Sequence, residues 1–405
     1  MDTSLVDLTP PKIDWEFLRN RMEECPWSPP ARAAGLWAID VLREELGPLW
    51  PRAWRRSESA PPELLASGHS LAAYIGTLDL ALALRRIRDM PGARALRDAI
   101  AGTVRYDALM SPRLQMRIAS VALGAAVGVG IEPLMPDAEA PADLLLSRAG
   151  VSCAVELLAV MRDAKTLDAD RWLETVTFEL LRIGQLHKVD FRGRVQEPLD
   201  EQLTSELLQE VERRAGATAK GLELPEVQCG GVAVTTLPAT GEGGGTSFDL
   251  PMISYGQRIA DKLGDKADQM RRSRADWVLV DWMDHLWHMT AWGARPLAEK
   301  ASDLAALVRE QLHAEPHIQG VVITDGAVLM RGDVPEQTVE LSEGAIAIGR
   351  QIDKWHTRES VVIPLQPLAL EAAHLWLDIL DAEHHWLIRE LKAVGLEPPV
   401  ELIAM

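Results

Sequence analysis

Hydrophobic side chains recur at helical spacing through the N-terminal part of the chain. Apolar residues follow a period of three to four between Leu36 and Leu42, and again between Leu71 and Ile87. Proline and turn residues separate these stretches and end them. The pattern predicts an all-helical N-terminal region over residues 1–105.

Extended segments begin to alternate with helical ones after residue 105. A Ser-Pro pair at 111–112 is typical of a helix start, and an extended segment is expected over 127–133. Two apolar runs follow, 142–147 and 152–160, and the residues 148–150 between them include Ala-Gly. Two apolar runs joined by so short a turn are typical of a β-hairpin.

Helices and buried strands then follow each other along the rest of the chain. The spacing predicts helices over 168–218, 255–272 and 296–313, strands over 231–237, 277–281 and 321–324, and a C-terminal helix over 368–394. A helix followed by an apolar strand, twice in succession, indicates an α/β fold. We therefore expect an α/β core over 106–335 and a C-terminal helical extension over 336–405.

The composition is that of a folded, acidic protein. Hydrophobic residues make up 47% of the chain and charged residues 25%, which excludes wholesale disorder. The net charge of −18 argues against a protein whose main task is to coat nucleic-acid phosphates, although a local basic groove is compatible with it. The three cysteines are too far apart to form a metal site or a disulfide framework. Because no signal peptide or membrane-spanning stretch is visible, we expect a cytoplasmic protein with no membrane segment.

Two acidic residues of the predicted hairpin are candidate metal ligands. If the turn is centred on Ala149 and Gly150, residues whose numbers sum to 299 face each other, and Asp143 then lies opposite Glu156. Opposed side chains on one face of a sheet have Cβ atoms about 4.5–5.5 Å apart. Two carboxylates at that distance repel each other unless a cation lies between them or one of them binds a proton. A hard divalent ion such as Mg²⁺ would accept oxygen ligands from both.

A simpler interpretation stays open at this stage. Both acids could lie at the wet ends of strands, where water screens their repulsion. A three-residue turn would also shift the register by one residue, and this shift would place the two side chains on opposite faces of the sheet. The metal site therefore depends on the register of the hairpin.

The order of these elements resembles that of the PD-(D/E)XK nuclease-like superfamily, which has the restriction-endonuclease-like fold. The resemblance covers roughly residues 106–331 and is carried by short motifs. These are Pro141-Ala142-Asp143, Ala154-Val155-Glu156, and a helix over 262–270 followed by the strand at 277–281. The resemblance implies a central mixed sheet flanked by helices, with helical regions added at both ends of this chain.

The resemblance also implies a Mg²⁺-dependent phosphodiesterase whose metal ligands are Asp143 and Glu156. In that superfamily a lysine two residues after the glutamate helps to position or activate the attacking water, and a glutamate of the first helix often completes the site. This chain departs from the pattern at both places, since Leu158 stands at the lysine position and Gln115 at the helix position. The chain is thus expected to be a degenerate member of the superfamily.

Two outcomes follow from this departure. A basic group could have moved to another element, and Lys262 and Lys266 are the best candidates because they lie one turn apart on a helix face shared with Gln269. The protein would then cleave nucleic acid. Alternatively the site is catalytically dead, both lysines belong to a solvated helix face, and the protein acts by binding a protein partner or another copy of itself.

Overall fold

The structure is a computed structural model of the 405-residue chain. It describes residues 14–55, 71–160, 164–222, 224–239, 246–249, 255–282, 297–324, 336–351 and 357–403. These residues divide into two compact units. The described residues of the first unit lie within 14–160, 256–282 and 297–403, and those of the second lie within 164–255.

Helices and strands are numbered here in chain order. The described helices are α1 (Trp15–Glu24), α2 (Pro29–Leu46), α3 (Trp50–Arg55), α4 (Leu71–Ile87), α5 (Ala93–Gly102), α6 (Tyr106–Gly124), α7 (Ala164–His187), α8 (Glu201–Thr218), α9 (Tyr255–Ser273), α10 (Leu297–Leu312), α11 (Leu370–His384), α12 (Trp386–Ala393) and α13 (Val400–Ile403). The described strands are β1 (Gly128–Ile131), β2 (Leu144–Arg148), β3 (Val151–Val160), β4 (Val189–Val195), β5 (Val227–Cys229), β6 (Val232–Pro238), β7 (Thr246–Asp249), β8 (Trp277–Trp282), β9 (Gly320–Thr324), β10 (Glu336–Glu340), β11 (Ile346–Gln351) and β12 (Thr357–Pro364).

The first unit is built on a mixed sheet of eight strands, in the order β1-β2-β3-β8-β9-β12-β11-β10. The neighbours β3, β8 and β9 are parallel, and every other neighbouring pair is antiparallel. On one face, Val155 and Leu157 of β3 belong to the large core that the sheet forms with the helices. Glu156 lies between them in sequence and therefore points to the other face.

Helix α9 lies on the face to which Glu156 points, and its sequence fixes which of its side chains reach the sheet. Apolar residues at Ile259, Leu263, Ala267 and Met270 are buried along one stripe of the helix. Lys266 and Gln269 are the immediate sequence neighbours of this stripe and contact Glu156. The packing of the apolar stripe thus places Lys266 and Gln269 over the hairpin.

The second unit has a smaller sheet in the order β5-β6-β4-β7. Helices α7 and α8 pack on it through an apolar core that includes Val176, Leu180, Phe191, Val211 and Val234. It is inserted in the chain between β3 and α9.

The prediction of an α/β fold with a mixed sheet flanked by helices is confirmed. The hairpin, α9, β8, α10 and β9 also lie close to their predicted bounds. None of the described helices is long and apolar enough to cross a membrane.

The strands β5 and β7 were not predicted, and the structure differs from the prediction in three further places. Within 168–218, where helix was expected, β4 separates two helices because Val189, Phe191 and Val195 alternate with polar residues and are buried. The expected helical extension over 336–405 begins with β10, β11 and β12, which complete the large sheet. Helix α6 begins at Tyr106 and contains Pro112, because burial of the apolar residues before the proline favours an earlier start.

Asp276 fixes the junction between β3 and β8. Its carboxylate accepts the Ala154 N–H at 2.8 Å, and its own N–H donates to the Ala154 carbonyl at 2.9 Å. Burial raises the pKa of Asp276 to about 6, and the backbone hydrogen bonds oppose this shift. The ionised carboxylate is therefore less favourable in the folded protein than in the unfolded chain.

We predict that Asp276→Asn reduces the pH dependence of stability. In the wild type, stability that is fully present below the unfolded pKa is lost as the pH rises through about 6, because the folded state binds the proton more tightly. Asparagine still accepts the Ala154 N–H but does not titrate. Between pH 4 and pH 7 the variant should therefore gain on the order of 2 kcal/mol relative to the wild type, measured by urea unfolding. If the free energies of unfolding of the variant and the wild type differ by the same amount at every pH, the raised pKa of Asp276 is contradicted.

Candidate metal site

The hairpin has the register that the sequence predicts. Leu144 pairs with Val155, and Arg148 pairs with Val151. The two turn residues both have positive φ, +51° at Ala149 and +88° at Gly150, as in the tight two-residue turns that match the twist of antiparallel strands. Continuing this register by one residue places Asp143 opposite Glu156.

Glu156 is fully buried, with 0% of its surface exposed. Its Oε2 atom accepts a hydrogen bond from Gln269 Nε2 at 2.7 Å and lies 2.8 Å from Lys266 Nζ. Its Oε1 atom is buried and has no hydrogen-bond partner among the described residues. A buried carboxylate oxygen without a donor is unfavourable unless a ligand or a proton satisfies it.

Both the carboxylate and the backbone carbonyl of Asp143 have partners. Its Oδ2 atom accepts the Leu157 N–H at 2.7 Å and lies 3.7 Å from Lys266 Nζ. Its backbone carbonyl accepts Gln115 Nε2 at 2.7 Å and the Glu132 N–H at 3.0 Å. Gln115 therefore lies at the site as expected, but it holds the main chain of Asp143 and not the carboxylate.

Of the two candidate lysines, the structure brings only Lys266 to the carboxylates. The Lys266 side chain is 12% exposed and its ammonium contacts both acids. Lys262 lies one turn before Lys266 on the same helix, and its side chain is half exposed. Its Nζ atom is 4.0 Å from Asp265 Oδ2. Among the described residues no ion pair joins Lys262 to Asp143 or Glu156. Leu158 lies on the same face of β3 as Glu156 but carries no charge. Lys266 supplies the positive charge from α9 instead.

The site carries more negative than positive charge when both acids are ionised, since one ammonium faces two carboxylates. Burial, the nearby charge of Glu156 and a side-chain hydrogen bond with Glu156 together raise the pKa of Asp143 to about 6, against the opposing effects of Lys266 and the Leu157 N–H. A carboxyl group with this pKa exchanges its proton near neutral pH. A cation of higher charge than an ammonium would relieve the repulsion that remains.

The donors fit a hard divalent cation. Carboxylate oxygens are the ligands that Mg²⁺ prefers, and Mg²⁺ is commonly bound by one or two carboxylates together with water and substrate oxygens. Glu156 Oε1 is free of other partners within the described chain, and Asp143 faces it across the hairpin. The described residues contain no group of three or more His, Cys, Asp or Glu that could hold a metal. Protein ligands would therefore be limited to this pair.

Some contacts of the site were outside the reach of sequence analysis. The helical spacing placed Gln269 on the face of the lysines but did not indicate that it donates to Glu156. A second buried charge group lies on the opposite face of the sheet, where Arg117 pairs with Asp281 and Glu383, both at 2.9 Å. No local pattern marks this group, because its members come from α6, β8 and α11.

The chain was compared with protein-family models, with curated proteins and with solved structures, and none of the three comparisons gave a match. The function of the chain must therefore be inferred from the geometry and chemistry of the site.

We predict that Asp143→Asn stabilises the metal-free protein. At pH 7 the wild-type carboxylate is mostly ionised despite its raised pKa, so the fold holds a disfavoured charge beside Glu156. Asparagine can still accept the Leu157 N–H, and the free energy of unfolding should rise by about 1–2 kcal/mol. The measurement is urea unfolding in the presence of a chelator.

Asp268→Asn provides the matched control, because Asp268 lies on the exposed side of α9 in a surface ion pair with Arg271. Its effect should stay within about 0.5 kcal/mol. Loss of stability in Asp143→Asn would mean that this carboxylate serves the fold rather than a ligand.

Proposed function

We propose that the first unit is a divalent-metal-dependent phosphodiesterase of the PD-(D/E)XK type that acts on nucleic acid. The observation that carries this proposal is the Asp143–Glu156 pair, in which Asp143 is partly exposed and Glu156 is fully buried, with Glu156 Oε1 lacking a partner within the described chain and Lys266 lying 2.8 Å from the other oxygen. Two opposed carboxylates with a nearby ammonium are suited to binding a metal and a phosphate together.

The fold supports the same proposal. Helix α6, the strands β1 to β3, and α9 followed by β8 come in the order that the resemblance to the superfamily implies. In the proposal, the sheet of the first unit is the restriction-endonuclease-like core. The second unit is then an insertion between the strand that carries Glu156 and the helix that carries Lys266.

Each residue has a role that follows from its contacts. Asp143 and Glu156 would hold Mg²⁺, which when bound supplies Lewis-acid polarisation of a phosphate oxygen and a more acidic water. The Leu157 N–H and Gln269 hold one oxygen of each carboxylate, so the other oxygens stay directed to the ligand. Lys266 stabilises the charge that develops on the phosphate or positions the water. Gln115 holds the backbone of Asp143 in place.

The competing proposal is a catalytically inactive nuclease-fold protein that acts by binding a protein partner or another copy of itself. Leu158 and Gln115 favour it, since neither residue supplies the charged group of the superfamily pattern. The two proposals differ in whether Lys266 replaces the missing lysine in the reaction.

We predict Mg²⁺-dependent nicking of supercoiled plasmid by the wild-type protein, with no detectable activity in Glu156→Gln. Lys266→Ala should slow cleavage on the order of 100-fold, the usual effect of removing one group that stabilises transition-state charge. Lys262→Ala removes the same charge one turn away and should change the rate by less than threefold. Single-stranded RNA tested in parallel identifies the class of nucleic acid. Absence of cleavage on every substrate would favour the non-catalytic proposal.

We also predict that Asp143→Asn loses Mg²⁺ binding in calorimetric titrations while keeping its fold. The variant removes one of the two proposed carboxylate ligands, so its affinity should fall at least tenfold. Equal binding by the wild type and the variant would end the proposal of a metal site at the hairpin.

A further inference from the structure

The Lys266 ammonium lies against the same two carboxylates that a bound cation would use. Its Nζ atom lies 2.8 Å from Glu156 Oε2 and 3.7 Å from Asp143 Oδ2, and only 12% of the side chain is exposed. The nitrogen thus contacts both acids at once. In the metal-free protein it is their main source of positive charge.

A divalent ion and this ammonium do not fit comfortably beside the same two carboxylates. Like charges a few ångströms apart repel strongly in a partly dry site, where water screens little. Glu156 Oε1 is available to a metal, but Lys266 would remain within a few ångströms of it. Binding of the metal must therefore either tolerate the repulsion or move the ammonium.

The lysine side chain is suited to such a movement. Its ammonium lies at the end of a flexible four-carbon chain. Unlike the planar guanidinium of arginine, it does not require a fixed two-point hydrogen-bond geometry. Gln269 donates to the same Glu156 oxygen and would continue to hold the carboxylate after the ammonium has left. The carboxylate therefore keeps its orientation with or without Lys266.

We propose that Lys266 is a built-in competitor of the divalent cation, which holds the carboxylate pair in the metal-free protein and moves to the substrate phosphate when metal and substrate bind. This inference rests on the proposed function in one respect, that Asp143 and Glu156 bind the cation. A phosphate offers the displaced ammonium a new partner. Metal and phosphodiester should therefore bind cooperatively, each increasing the affinity for the other.

The test compares Mg²⁺ affinity by calorimetry in the wild type, Lys266→Met and Lys262→Met. Both substitutions remove one positive charge from α9, but only Lys266 contacts the carboxylates. Lys266→Met should bind Mg²⁺ at least tenfold more tightly than the wild type, although its cleavage rate falls. Lys262→Met should stay within threefold of the wild type.

A second measurement follows the fold of the same variants. Thermal unfolding in chelator should show Lys266→Met destabilised, because Glu156 has lost its counter-charge, and Mg²⁺ should raise its melting temperature more than that of the wild type. If Lys266→Met does not fold in chelator, Lys266→Gln, which keeps a hydrogen-bond donor without the charge, replaces it in both measurements. The expected order of affinity is the same.

The outcomes separate the two proposals. If the wild type binds Mg²⁺, Asp143→Asn does not, and Lys266→Met binds no more tightly, the competition is overturned while the metal site stands. If neither the wild type nor Lys266→Met binds Mg²⁺, the metal site itself is wrong. If Lys266→Met binds more tightly but no variant cleaves nucleic acid, the competition stands and the catalytic proposal falls.

Discussion

The repulsion between two carboxylates that face each other across a β-hairpin is the constraint around which the site is organised. Asp143 and Glu156 are brought together by the register of β2 and β3, and within the described part of the chain one ammonium, one amide and one backbone N–H meet the resulting charge. These groups do not remove the excess negative charge. A fold optimised only for stability would not place a second carboxylate beside the fully buried Glu156, so we interpret the arrangement as a proposed binding site.

The central features of the site could be predicted because they depend on local geometry. A two-residue turn fixes the register, and the register alone decides that Asp143 faces Glu156. Helical spacing places Lys262, Lys266 and Gln269 on one face of α9. The choice between the two lysines could not be made from spacing, because they share a helix face and differ by one turn along α9. It depends on which turn of α9 lies over the hairpin, and in the structure this is the turn of Lys266.

Features that depend on contacts distant in sequence were missed. The strands β10, β11 and β12 take their place in the sheet through pairing, since β12 pairs with β9, β11 with β12 and β10 with β11. Arg117, Asp281 and Glu383 meet across more than a hundred residues of chain, and each residue viewed alone is an ordinary charged side chain. The insertion of the second unit carries no composition change that marks its boundaries.

The position of that insertion has a consequence for biogenesis. The second unit separates β3 from α9, so ribosomal synthesis delivers both acids of the site about a hundred residues before Lys266 and Gln269. Until α9 emerges, the nascent hairpin lacks the ammonium and the amide that contact its acids in the finished fold. The inserted unit has its own apolar core and can become ordered in this interval, which shortens the effective loop that the late contacts must close. Completion of the site is therefore expected to be a late event on the ribosome.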